Sequence, residues 1–252
     1  MNLKEKLHSR QKIYGTMIRL SRDPSILCLA KNAGLDFVMF DCEHGSFNFE
    51  TLQDLFVAGN GMNLPGLARV PELSRGYLSR FLDLGCGGVM LPMTSTAEDA
   101  RELVKWSKYA PLGERGYVTN GAHVHFKTSS KPLEAMEEAN SRILTIAQIE
   151  TKEAIKNADA IAAVPGIDAL LIGPNDLALS LGVPGDLTSP IMIESVSKVA
   201  AACKRHGKAF GIHGGVQLLK LFKDDITLIM SETDLSILEK GLNGLREAMH
   251  TM

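Results

Sequence analysis

Short apolar runs alternate with helix-length amphipathic stretches along the whole chain, and this rhythm restricts the fold more than any other feature. Strand candidates lie at Tyr14–Leu20, Asp36–Phe40, Gly66–Val70, Gly88–Leu91, Ile143–Ile149, Ala169–Ile172, Ala209–Ile212 and Thr227–Met230. Helix candidates fall at Pro24–Ala33, Phe49–Ala58, Ser74–Leu84, Ala97–Ser107, Thr151–Ala163, Pro190–His206, Val216–Phe222 and Asp234–Met249. Asp23-Pro24 opens the first of these and Gly34 closes it, while Gly85 and Gly207 close others. Eight such units in 252 residues predict an α/β fold, a (β/α)8 TIM barrel forming one domain over residues 1–252. A doubly wound open sheet uses the same alternation and is the alternative. No linker, repeat or low-complexity tract marks a second domain. The irregular stretch Pro111–Lys131 exceeds an ordinary connection and reads as an active-site lid or an insertion.

Composition excludes several functions. The 27 basic and 29 acidic residues leave a net charge of −2, which gives no footing for nucleic acid or an anionic membrane. Cys28, Cys42, Cys86 and Cys203 are too scattered for a zinc ribbon or a disulfide framework and suit a reducing cytoplasm. Met1–Lys6 lacks the apolar run of a signal peptide, and no segment approaches membrane-spanning length.

In a barrel, chemistry gathers at the C-terminal ends of the strands. Phe37-Val38-Met39-Phe40 is a run suited to burial on both faces, and it leads directly into Asp41, Cys42, Glu43 and His44. The third strand ends at Arg69, and the fifth delivers Gln148 and Glu150 to one face by two-residue alternation. The sixth runs into Gly173-Pro174-Asn175-Asp176, and the eighth is followed by Ser231-Glu232. Glu150 and Asp176 on neighbouring strands suit a hard cation such as Mg²⁺ or Mn²⁺ that also takes substrate oxygens. Each also has a plainer reading, Glu150 as a first-turn acid and Asp176 as a helix cap. Arg69 fits an oxyanion partner or a structural ion pair, and His44 a general base or a loop histidine satisfied by Glu43. The Gly173–Asp176 turn, entering a helix, aims backbone N–H groups at an anion such as a carboxylate.

Other chemistries lack their residues. There is no G-x-G-x-x-G after the first strand, no Walker A sequence and no G-x-S-x-G elbow. Lys12 and Lys208 precede their strands and Lys152 starts a helix, so no lysine is placed for a Schiff base.

The strand ends, in this order and spacing, resemble the HpcH/HpaI aldolase/citrate lyase family, metal-dependent class II pyruvate aldolases of the phosphoenolpyruvate/pyruvate barrel superfamily. The resemblance rests on Asp41-Cys42-Glu43-His44, Arg69-Val70-Pro71, Leu82-Asp83-Leu84-Gly85 with Val89–Met93, Arg115-Gly116, Gln148-Ile149-Glu150-Thr151 and Ile172–Leu177. It implies a carbon–carbon lyase that cleaves a 2-oxo-4-hydroxy acid to pyruvate and an aldehyde through a metal-held pyruvate enolate. Glu150 and Asp176 then correspond to the ligands of Mg²⁺, Mn²⁺ or Co²⁺, and Arg69 to the arginine on the keto oxygen. His44 corresponds to the acid/base histidine, and Asp83 to the carboxylate that orients it. Gln148 and the backbone of Gly173, Pro174, Asn175 and Asp176 correspond to substrate contacts. The family further implies a homo-oligomer, a trimer or hexamer, in which the last helix, about 234–250, is exchanged between subunits. A lyase for CoA thioesters and a non-catalytic 2-oxo-acid-binding barrel are the alternative functions.

The chain departs from the family at three places. Arg19 stands where relatives carry a small or apolar residue, Glu232 where they carry glycine, and Asp224-Asp225 replaces a glycine-containing approach to the last strand. Arg19 is expected either to read a distal acidic group of the substrate or to pair with Glu232. His123 and His125 are expected at a lid or subunit contact rather than a second metal site.

Overall fold

Alternation along each strand decides which side chains fill the centre. The computed structural model describes residues 1–252. Its parallel strands are β1 (Ile13–Ile18), β2 (Phe37–Asp41), β3 (Gly66–Arg69), β4 (Gly88–Leu91), β5 (Leu144–Ile149), β6 (Ala169–Ile172), β7 (Ala209–His213) and β8 (Leu228–Thr233). They pair in sequence order, and β1 pairs with both β2 and β8, so the sheet closes into a barrel and the open-sheet alternative falls. Inward side chains such as Phe37, Met39, Leu67, Ile146 and Met230 form one interior cluster. Packing there is tight: a Cβ on Gly15 would clash with the edge atoms of the Phe37 ring.

The outward side chains pack against α2 (Ser25–Asn32), α3 (Phe49–Gly61), α4 (Arg75–Asp83), α5 (Ala97–Ser107), α7 (Lys152–Ala162) and α9 (Pro190–Arg205), which form the outer layer. Three helices are absent from the periodicity reading: α1 (Leu3–His8), α6 (Pro132–Arg142) and α8 (Pro174–Leu181). The short α10 (Val216–Leu221) and the long α11 (Asp234–His250) complete the set. Leu3 and Leu7 of α1 join the interior cluster and plug the N-terminal end of the barrel. Behind them Asp168 accepts from the Thr145 backbone at 2.9 Å and pairs with Lys4 at 2.9 Å and with the fully buried Lys108 at 3.6 Å.

Residues Pro111–Lys131 do not form a lid over the mouth. They follow α5, whose C-terminus lies at the plugged end of the barrel, so the connection from α5 to β5 runs there. Its 3₁₀ turn, Ala122–Val124, is tied to α6 by the Arg142 guanidinium donating to the His123 carbonyl at 2.8 Å. His123 and His125 sit with it, at the end opposite the strand C-termini, and are not lid residues.

Candidate active site at the barrel mouth

Extending the inward alternation past each strand's last apolar residue gives the site. Met17 leads to Arg19, Met39 to Asp41, Leu67 to Arg69, and Ile146 to Gln148 and then Glu150. Leu171 leads to Gly173 and Gly211 to His213, while in β8 the register shifts after Met230, and Glu232 and Thr233 both reach the mouth. Arg19, His44, Arg69, Gln148, the Gly173–Asp176 turn, His213 and Glu232 line one cavity of about 310 Å³ at the C-terminal end of the barrel.

Asp41 and Arg69 are partners in the β2–β3 register, and their side chains meet through two parallel bonds. Arg69 Nε donates to Asp41 Oδ1 at 2.9 Å and Nη2 to Oδ2 at 2.7 Å, while Nη1 pairs with Glu43 at 2.9 Å. Arg19 Nε donates to the same Asp41 Oδ2 at 2.6 Å. Burial alone would raise the Asp41 carboxyl, but the Arg69 and Arg19 donors outweigh it and hold Asp41 at about 2. The ion-pair reading of Arg69 is met, and the pair fixes its planar fork; one N–H on each of Nη1 and Nη2 is left without a protein partner.

Across the mouth, Glu150 is almost wholly buried. The Met93 backbone N–H donates to its Oε1 at 2.6 Å, and the Gln148 amide nitrogen donates to its Oε2. Burial pushes its carboxyl up to about 7, with Asp176 and Glu43 adding to the rise. The plainer readings of the two carboxylates do not describe their positions. Thr151, not Glu150, caps α7, and Gly173 occupies the N-cap of α8 with Asp176 exposed in its first turn. Gly173 is there for space: a Cβ would lie 2.6 Å from the Gln148 amide nitrogen and closer still to Glu150.

The donor set fits a divalent cation. A buried carboxylate without a cationic partner, a second carboxylate beside it and a buried Gln148 amide oxygen with no partner form an all-oxygen cradle. No third His, Cys, Asp or Glu side chain joins them, so Glu150 and Asp176 are the carboxylates that would hold such a cation.

The His44 backbone N–H donates to Asp41 Oδ1 at 3.2 Å; its ring is more than half exposed and 3.9 Å from Glu43. Asp83 is not beside it. As the last residue of α4 it lies at the plugged end, where Arg115 holds it at 2.6 Å, so within one chain it does not orient His44. Helix α4 runs antiparallel to the strands, which makes this separation unavoidable. The expected Arg19–Glu232 pair is also not formed, because Glu232 bonds to Lys240 and Ser236.

Two further positions at the mouth escape motif reading. His213 ends β7, its Nε2 is 3.1 Å from the Glu232 carbonyl, and burial lowers its pKa; alternation from Ala209 was the available signal. Asp234, at the start of α11, accepts from the backbone N–H groups of Arg19 at 2.8 Å, Leu20 at 3.1 Å and Ser21 at 2.7 Å. No local pattern announces that role.

The sequence profile of the HpcH/HpaI aldolase/citrate lyase family matches residues 17–217. Among characterised relatives, the 4-hydroxy-4-methyl-2-oxoglutarate aldolase of Hapsidospora irregularis is 35% identical over 200 residues, covering 78% of this chain and 73% of its own length. The 2-dehydro-3,6-dideoxy-6-sulfogluconate aldolase of Pseudomonas putida is 36% identical over 184 residues, covering 73% and 71%. The crystal structure of an HpcH/HpaI aldolase from Desulfitobacterium hafniense DCB-2 superposes with a TM-score of 0.94 at 32% identity, covering 100% of this chain and 98% of that one. The chain belongs to the HpcH/HpaI aldolase/citrate lyase family and is a carbon–carbon lyase of the aldolase type.

Proposed function

We propose that this protein cleaves a 2-oxo-4-hydroxy acid to pyruvate and an aldehyde, with a divalent cation of the Mg²⁺, Mn²⁺ or Co²⁺ type held by Glu150 and Asp176. One observation carries the reading: a fixed guanidinium, Arg69, shares a barrel mouth with an all-oxygen carboxylate cradle. The cation would supply Lewis-acid polarisation of the 2-oxo group. The remaining steps fall to the chain itself. Backbone N–H groups of Asn175 and Asp176 in the first turn of α8, with Gln148 beside them, orient the substrate carboxylate. His44 takes the proton of the 4-hydroxyl, directly or through a water, and the C3–C4 bond breaks to release the aldehyde. The bond's electron pair becomes the pyruvate enolate, whose oxygen charge faces the free N–H groups of Arg69. A proton then returns to C3.

The same reading takes the chain as a homo-oligomer, a trimer or hexamer, in the cytoplasm. Leu235, Leu238, Leu242, Leu245 and Met249 repeat at three- and four-residue spacing on α11, and all are at least about half exposed. An apolar groove of about 530 Å³ lies between α2 and α11 and suits exchange of that helix. The four free cysteines suit a reducing compartment, and no helix is long and apolar enough to cross a membrane.

The deciding experiment measures pyruvate release from a panel of 4-hydroxy-2-oxo acids after chelation and after return of Mg²⁺, Mn²⁺ or Co²⁺. Metal-restored release is expected. Full activity in the chelated protein would remove the cation from the reading, and binding of pyruvate with no turnover of any substrate would favour a binding protein.

A further inference from the structure

Arg19 occupies an unusual position. It extends the inward alternation of β1, and in the closed strand order β1 stands four strands from β5, across the mouth from Glu150 and the α8 turn. Only its Nε is engaged, by Asp41 at 2.6 Å; neither Nη nitrogen has a protein partner. The Glu232 carboxylate at the same mouth does not neutralise it, because it is turned to Lys240 and Ser236. Glu232 holds that place at a left-handed φ of 61°, a conformation that a residue with a Cβ adopts at a cost. The Arg19 backbone is fixed as well, since the buried Asp234 carboxylate accepts from the N–H groups of residues 19, 20 and 21.

We propose that Arg19 determines substrate specificity, its free Nη edge taking a terminal carboxylate on the aldehyde half of the substrate. The inference rests on the aldolase reading and narrows it to 2-oxo-4-hydroxy acids that are dicarboxylic. A substrate anchored through its 2-oxo acid end at β5 and β6 extends across the cavity toward β1, where the planar fork offers two parallel N–H donors to a carboxylate. Arg69 is less free for this task, because Asp41 and Glu43 already engage all three of its nitrogens. Asp234 is then a positioning residue that aims Arg19 through the backbone.

The test compares kcat/KM for condensation of pyruvate with succinic semialdehyde and with butanal, a neutral acceptor of the same chain length, in the wild type, Arg19→Gln and Arg19→Lys. Exchange of the pyruvate C3 protons into D2O reports enolisation without any acceptor. The wild type should favour the acidic acceptor by about 10- to 100-fold, the range expected for a charge-assisted hydrogen bond. Arg19→Gln should bring the ratio close to one, chiefly through KM for the acidic acceptor. Arg19→Lys keeps a positive charge beside Asp41 and should retain part of the preference. A wild type that condenses both aldehydes without preference overturns the inference, as does an Arg19→Gln variant that lowers both acceptors equally, since Arg19 would then only brace Asp41. If the wild type neither exchanges the C3 protons nor condenses either aldehyde, the aldolase reading falls and takes this inference with it. Exchange with no acidic preference overturns the inference alone.

Discussion

At Asp41 two guanidinium groups converge on one fully buried carboxylate, and the arrangement has an acid-stability signature. Its folded-state value of about 2 lies below the ordinary 3.8, so the folded protein binds this proton less readily than the unfolded chain. The contribution, about 2 kcal/mol, is present above roughly pH 4 and is lost as pH falls toward 2. Urea unfolding of wild type and Asp41→Asn at pH 6 and pH 2.5 should show a gap that narrows in acid. Glu150 has the opposite sign. Its carboxyl is raised from 4.5 to about 7, so in chelated protein it lowers stability progressively as pH rises from 4.5 through 7, by about 3 kcal/mol. Glu150→Gln with EDTA present should therefore be more stable than wild type at pH 8, nearly equal at pH 4.5, and inactive throughout. His44→Ala should keep the wild-type melting temperature, because its ring is largely exposed, while losing retro-aldol turnover by about 10²- to 10³-fold. Near wild-type turnover in that variant would remove His44 from the proton chemistry.

The elements proposed for the chemistry follow a strand or begin a helix, and the α8 turn shows how little room is left there. Gly173→Ala is compatible with the backbone, whose φ is −94°, yet the new methyl would displace Glu150 or Gln148. The expected result is an intact fold by circular dichroism and cation affinity at least about 10-fold weaker by calorimetry, comparable to losses on disturbing the support of a metal ligand. Elements also differ in how openly the sequence announces them. Strands such as Phe37–Asp41 and Ala169–Ile172 are legible because burial on both faces leaves continuous apolar runs. Helix α1 is only six residues long, α6 starts without a side-chain cap, and α8 opens on Gly-Pro-Asn-Asp, which is equally turn chemistry, so periodicity passes over all three. Arg69, Gln148 and Glu150 follow from alternation. Asp83 does not, because its residue type says nothing about which end of the barrel α4 leaves it at.

The whole molecule has two unlike ends. The plugged end closes on the Lys4–Asp168–Lys108 cluster, where the buried carboxylate also holds the start of β5. Asp168→Asn removes the counter-charge of Lys4 and of the fully buried Lys108, whose pKa burial already pushes down to about 7, and a loss on the order of 3 kcal/mol is expected in chemical denaturation. The other side carries α11, whose apolar stripe is open to solvent in the single chain. If the stripe joins subunits as proposed, Leu242→Glu at its centre shifts the mass seen by light scattering to that of the monomer, 27.3 kDa, and leaves the barrel folded; a wild type already at that mass overturns the oligomer proposal.

The bond between Asp234 and the backbone of Arg19–Ser21 ties those two levels together, because Asp234 opens the same helix that carries the stripe. Helix α11 is thereby a lever on the mouth: whatever seats or displaces it also sets the chain that aims Arg19. Thermodynamic linkage makes the traffic run both ways. If seating α11 tightens a ligand's grip at Arg19 by some factor, that ligand favours the seated helix by the same factor, so binding at the mouth and the seating of α11 draw on one shared equilibrium.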